Sequence, residues 1–133
     1  MKRIVIIAII LVAFLWACDP NDINNIFITR DNYVATWNCN DTEVPITKNA
    51  YSVTIELDPG NSSRIIIKNF HQFGSIYYVN AVVAGKSFTI ESQTVAGETV
   101  HGDGTLVDNN KIECTYYTND GADLKKFNAI YTK

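Results

Sequence analysis

Apolar and polar residues are arranged in two different ways along this chain. From Ile4 to Ala17 all fourteen residues are apolar, short of the roughly 18 to 20 that a membrane-crossing helix needs. Beyond residue 30 the pattern changes to short runs with a period of two, which places alternate side chains on opposite faces of a strand. Eight such runs are expected as strands: Tyr33–Cys39, Tyr51–Leu57, Arg64–Phe70, Ile76–Val83, Ser87–Val95, Thr99–Val107, Lys111–Thr118 and Leu124–Thr132. Alternation is clearest where Tyr51, Val53, Ile55 and Leu57 share one face while Ser52, Thr54 and Glu56 share the other. Turn formers separate the runs: Asp58-Pro59-Gly60-Asn61, Ala84-Gly85-Lys86, Asp108-Asn109-Asn110 and Asn119-Asp120-Gly121.

Connections this short join antiparallel neighbours, because a parallel crossover needs a dozen residues or more. The expected fold is therefore all-β, an antiparallel meander of about eight short strands closing into a small barrel or a curled sandwich. Closure removes the unpaired edges, and eight strands leave an interior that side chains fill or that holds one small ligand. No second domain, long repeat or helix-period stretch is visible.

The apolar run has a positive start in Lys2 and Arg3 and ends Leu15-Trp16-Ala17-Cys18, followed at once by Asp19, Pro20, Asn21 and Asp22. This resembles the lipobox of bacterial lipoproteins, with Trp16 bulkier than usual at its position. The resemblance implies a cleaved signal peptide over residues 1–17, with diacylglyceryl and an N-terminal acyl chain such as palmitate on Cys18. It also implies a cell-envelope location. Two or three acyl chains anchor stably, since each buried methylene contributes roughly 0.8 kcal/mol. Residues 18–31 read as a polar tether and 32–133 as the single folded domain. Within the tether, Ile26-Phe27-Ile28 is expected to add a short strand or to pack across an open end. Asp19 and Asp22 fit a sorting signal in two ways, inner-membrane retention or surface export, with the outer membrane or cell surface favoured.

Processing takes Lys and Arg from 11 to 9 against 14 Asp and Glu, moving the formal charge from −3 to −5. Such a chain is a poor partner for nucleic acid, whose phosphates need clustered cations. Without residues 1–17 the only adjacent basic pair is Lys125-Lys126. Beyond Cys18 two cysteines remain, Cys39 and Cys114, an even number in an exported domain. Both fall on inward faces, which leaves a disulfide and two buried free thiols as alternatives. His71 and His101 are the only histidines. His101-Gly102-Asp103-Gly104 is the one His/Asp pair worth testing for catalysis, yet nothing nearby completes a metal site or a nucleophilic triad. The glycines there are expected to serve a bulge or bend. No cofactor is implied.

The order of residues resembles small lipocalin-like lipoproteins of Bacteroidota. The matching stretches include Tyr33-Val-Ala-Thr-Trp37-Asn-Cys39, Tyr51-Ser-Val-Thr-Ile55, Ile66-Ile-Lys-Asn69-Phe70 and Phe88-Thr-Ile90-Glu-Ser-Gln93-Thr-Val95. Gly104-Thr-Leu106, Tyr117-Thr-Asn-Asp-Gly121 and Ala129-Ile-Tyr131-Thr-Lys133 continue it to the end of the chain. These are strand-and-turn patterns, so the resemblance implies a lipocalin-like barrel and an envelope location, and no activity. It also places a second cysteine in the last strand, where this chain has Phe127. A loop of Asn119 to Ala122 would set Cys114 opposite Phe127 and Ile112 opposite Ala129.

The functional expectation is a non-enzymatic binding or interaction module that contacts a small apolar ligand or an exported protein. An inhibitor or accessory subunit presenting the Phe70–Ile76 loop is the alternative, and a hydrolase the third. The contact surface expected from the aromatic residues is Phe70, Phe73, Tyr77 and Tyr78, because loops at a barrel mouth often carry binding.

Overall fold

A computed structural model describes residues 27–43 and 47–133; the signal peptide, Cys18, Asp19 and Asp22 lie outside them. The eight expected strands form: β1 (Ala35–Glu43), β2 (Thr47–Leu57), β3 (Arg64–Lys68), β4 (Tyr78–Ala84), β5 (Ser87–Val95), β6 (Glu98–Asp108), β7 (Lys111–Asn119) and β8 (Leu124–Thr132). Each is antiparallel to its neighbours, and β8 returns to pair with β1, so the meander is a closed barrel. The strand order therefore has no first or last strand left without a neighbour.

Period-two patterning places Trp37, Cys39, Val53, Ile55, Ile65, Ile67, Val79, Phe88, Ile90, Leu106, Ile112, Tyr116 and Tyr131 inside. Gly102 and Gly104 also face inward, and Gly102 borders the β5–β6 bulge as expected. A Cβ on Gly104 would clash with the outer edge of the Phe88 ring directly across the β5–β6 pair, and one on Gly102 would strike Thr115 and Tyr116. The glycines leave room for aromatic rings, and Gly102, paired with Ile90, flanks the register irregularity between Ile90 and Gln93; a second irregularity lies between Leu106 and Asp108. At the first of these the Gln93 amide accepts from the Asn80 N–H and donates to the Asn80 carbonyl, both at 2.9 Å. It bridges β5 to β4 beyond the point where their backbone pairing stops at Val82.

The β7–β8 hairpin differs from expectation. Cys114 faces Ala129, Ile112 faces Tyr131, and Tyr116 faces Phe127, a shift of two residues that keeps every side chain on its expected face. The turn is set by Asp120, whose side chain accepts from the N–H groups of Ala122 and Asp123, and by Asn119, which accepts from Gly121. Pairing therefore runs on through Asn119 and Leu124.

The two ends of the barrel are unlike. At the end where the chain enters, a short 3-10 turn (Arg30–Tyr33) folds across the opening. Tyr33 is fully buried, its hydroxyl donates to the Gly85 carbonyl (3.0 Å), and its own carbonyl accepts from the Trp37 indole (2.8 Å). One Arg30 nitrogen donates to the carbonyls of Asp58, Asn61 and Arg64, tying this segment to the β2–β3 turn. Ile28 packs against the core while Phe27 stays exposed. The opposite, distal end carries the β3–β4, β5–β6 and β7–β8 connections.

Candidate functional site

The distal end is covered by the β3–β4 connection, residues 69–77. Asn69 organises it: its amide nitrogen donates to the Ser52 carbonyl (2.7 Å) and its amide oxygen accepts from the Gly74 N–H (2.9 Å). Asn69, His71 and Gln72 hold left-handed backbone conformations, at φ of 57°, 52° and 59°. These are costly for side-chain-bearing residues and persist only where surrounding contacts impose them. The imposed geometry turns Phe70 into the barrel, its ring centroid 4.6 Å from that of Tyr116. His71 follows it into a box of Phe73, Tyr116 and Phe127, at ring centroid distances of 5.1, 5.5 and 4.5 Å.

Beneath His71 lies a buried polar cluster. Asp41 is 1% exposed, and its Oδ2 accepts from the hydroxyls of Tyr51 (2.7 Å) and Tyr116 (2.8 Å). His71 Nδ1 is 2.8 Å from the Tyr116 oxygen and 3.8 Å from Asp41 Oδ2. The Tyr116 proton is committed to Asp41, so the oxygen accepts from Nδ1–H, which leaves Nε2 of the neutral ring as an acceptor. Burial holds the imidazole below its ordinary value of 6.5, against the pull of the Asp41, Glu98 and Glu43 carboxylates. Burial likewise raises the Tyr51, Tyr116 and Tyr131 hydroxyls far above the usual phenol range, so all three stay protonated. Among the described residues, Asp41 Oδ1 and the Tyr131 hydroxyl have no hydrogen-bond partner.

Above His71 a cleft of about 170 Å³ opens to solvent, lined by Glu43, His71, Glu98, Thr118, Asp120, Asp123, Lys125 and Phe127. Among the described residues four carboxylates and one ammonium line it, with Lys125 3.5 Å from Glu43. Among the described residues no three His, Cys, Asp or Glu side chains converge closely enough to hold a metal ion. Two larger hollows lie outside the barrel, one of about 300 Å³ beside Phe27–Asp31 and one of about 360 Å³ on the outer face of β6–β8. The barrel interior itself is occupied by side chains, with Tyr33, Trp37, Phe70, Phe88, Tyr116 and Tyr131 the largest.

The expected site residues divide accordingly. Phe70 is core rather than contact surface, because the left-handed turn drives it inward, and Phe73 packs partly against that core. Tyr77 and Tyr78 are exposed, joined by Ile76 at 81% exposure, which the aromatic pattern passed over. Cys39 and Cys114 are buried free thiols, with β8 running between their strands. Burial raises Cys39 to about 12, with Asp41 acting in the same direction, and raises Cys114 further still. His101 points outward and stacks on Tyr117 at 5.0 Å, and Asp103 is exposed on the same side of β6. His71, Asp41, Tyr51 and Tyr116 were not legible as a group, because 75 residues separate the outermost pair.

No family model matches the chain, and neither does any curated protein. Among solved structures it is similar to EF1p2_mFAP2b bound to DFHBI, at 13% identity and a TM-score of 0.57, covering 77% of this chain and 94% of that one. It is also similar to a redesigned β-barrel, b11L5F_LGL, at 10% identity and a TM-score of 0.60, covering 81% of this chain and 96% of that one. Identities this low speak for the barrel fold alone.

Proposed function

We propose that this chain is a non-enzymatic contact module of the bacterial cell envelope, anchored by lipid on Cys18 and working through its distal end. The observation that carries the reading is the opposition of the two ends. The first described residues, from Phe27, enter at the end closed by Tyr33 and Arg30, while Ile76, Tyr77, Tyr78 and the acidic cleft lie at the other. A lipid anchor at Cys18 would turn the distal end away from the membrane, towards an exported protein. The filled interior favours protein contact over a ligand held inside the barrel. A small-ligand version draws on the likeness to a barrel bound to DFHBI, and here it would have to use the mouth cleft.

Two experiments test the reading in parts. Fatty-acid labelling of membrane fractions should mark the wild type and fail with Cys18→Ala; continued labelling of the variant overturns the anchor. A photo-crosslinking residue at Tyr78 should give a discrete adduct at fixed stoichiometry in intact envelopes, whereas one at Lys86 beside the tether should not. Equal adducts at both positions would count against a distal contact surface.

A further inference from the structure

The cap over the distal mouth, residues 69–77, is bonded mostly to itself. The Asn69 N–H donates to the Tyr77 carbonyl, Gln72 to Asn69, Phe73 to Phe70 and Tyr77 to Gly74, all at 3.0–3.1 Å. Among the described residues two hydrogen bonds tie it to the barrel wall. One, from the Asn69 side chain to the Ser52 carbonyl, lies at the root of the cap beside β3. The other, from His71 Nδ1 to the Tyr116 oxygen, reaches across the mouth to β7. The left-handed backbone at His71 and Gln72 costs free energy that contacts with the barrel must offset. Phe70 and His71, packed against Tyr116 and Phe127, supply those contacts.

His71 is therefore placed as a latch, and its closed seat suits the neutral ring. Phe73, Tyr116 and Phe127 keep water from it on three sides. Among the described residues, the charged groups around it are Asp41 and Glu43 on β1, Glu98 on β6, Asp120 and Asp123 in the β7–β8 turn, and Lys125 on β8. The Tyr51 and Tyr116 hydroxyls face it from β2 and β7, both committed to Asp41 Oδ2. That oxygen is 3.8 Å from Nδ1, too far for a direct hydrogen bond. Burial outweighs the attraction of the carboxylates and disfavours the charged ring in this seat. With the cap lifted, water reaches both ring nitrogens, so the open form holds the proton more tightly and proton uptake favours opening.

We propose that residues 69–77 form a latched cap, with His71 as the latch, which a proton on that imidazole releases from the distal mouth while the barrel stays folded. Release bares Phe70, Tyr116 and Phe127 at the end that carries Ile76, Tyr77 and Tyr78. The device goes beyond the contact reading above and does not depend on it.

The test puts a thiol under the cap with Val79→Cys, in the full chain in detergent micelles, and labels it with dipyridyl disulfide. Val79 is fully buried and is the first inward residue of β4, next to the end of the cap. The native Cys39 and Cys114, both buried, report global opening in the same sample. Each rate is divided by that of a free cysteine peptide at the same pH, and labelled positions are resolved by mass spectrometry. From pH 7.5 to 5.5 the normalised rate at position 79 should rise by about 3- to 10-fold, the ceiling set by an exposed imidazole that titrates near 6.5. Cys39 and Cys114 should lag behind it. His71→Gln and His71→Phe should each abolish the rise. The Phe variant keeps a ring in the box and decides the matter if the Gln variant unfolds, which labelling at Cys39 would reveal. The latch is overturned by a rate at position 79 that is flat or falls as the pH drops, or that climbs in step with Cys39 and Cys114. A rise that persists in a folded His71 variant overturns it equally.

Discussion

An imidazole enclosed by aromatic rings has little water to solvate its charged form, and His71 sits between Phe73, Tyr116 and Phe127. Burial lowers its affinity for a proton, and Lys125 acts in the same direction, while Asp41, Glu98 and Glu43 oppose them and do not prevail. The unfolded chain takes up this proton near pH 6.5 and the folded chain only at lower pH, so between the two the unfolded state holds more protons. Stability from this group is then complete above pH 6.5 and lost as pH falls through the folded value, with a slope of at most about 1.4 kcal/mol per pH unit. Urea unfolding of His71→Gln from pH 7.5 to 5 should show a flatter decline than the wild type, and parallel curves would refute this assignment. Tyr116→Phe removes one donor from Asp41 Oδ2 and the acceptor from His71 Nδ1. Thermal melts should place its cost at about 1–3 kcal/mol, the range for stranding buried polar partners. Tyr117→Phe, on the outside against His101, should stay within about 0.5 kcal/mol and serves as the control.

Strands and turns were readable in the chain because period two and turn residues are local signals, and all eight elements formed within a few residues of their expected limits. What slipped was register. A shift of two in the β7–β8 hairpin leaves the inside–outside pattern unchanged, so hydrophobic patterning cannot detect it; the Asp120 and Asn119 side-chain bonds decide it. The β3–β4 connection was misread at Phe70 for a related reason. Its inward turn depends on left-handed residues imposed by Asn69 contacts with Ser52 and Gly74, which no local pattern records. The Asp41–Tyr51–Tyr116–His71 cluster exists only because β8 closes onto β1, bringing β7 close to β1 and β2. The inward glycines of β6 carry a prediction at this scale. Gly104→Ala places a methyl group where the Phe88 ring lies and should cost about 1–3 kcal/mol in denaturant unfolding, as overpacking does. Adding Phe88→Leu should recover part of that loss, giving a coupling of about 0.5 kcal/mol or more in the double-mutant cycle. Simple additivity would mean that the glycine serves the backbone instead.

A closed barrel with a filled interior opens little short of global unfolding, and the two inner thiols report on that opening. Cys39 and Cys114 face inward from β1 and β7 with β8 between them, and neither is bridged. Strands two places apart in a sheet are separated by about 9.5 Å, beyond the usual reach of a disulfide at roughly 7 Å between Cα atoms. Burial raises Cys39 to about 12 and Cys114 further, so near neutral pH almost none of either thiol is the reactive thiolate. Iodoacetamide should therefore leave both untouched in the native protein. Added urea should make them react together, at a rate that tracks the global unfolding equilibrium rather than local fraying. Mass spectrometry of the unfolded, unreduced chain should then find alkylation at Cys39 and Cys114 alike. A chain that accepts neither label until a reductant is added would instead carry the bridge across β8, with the barrel drawn in at that point to close the gap.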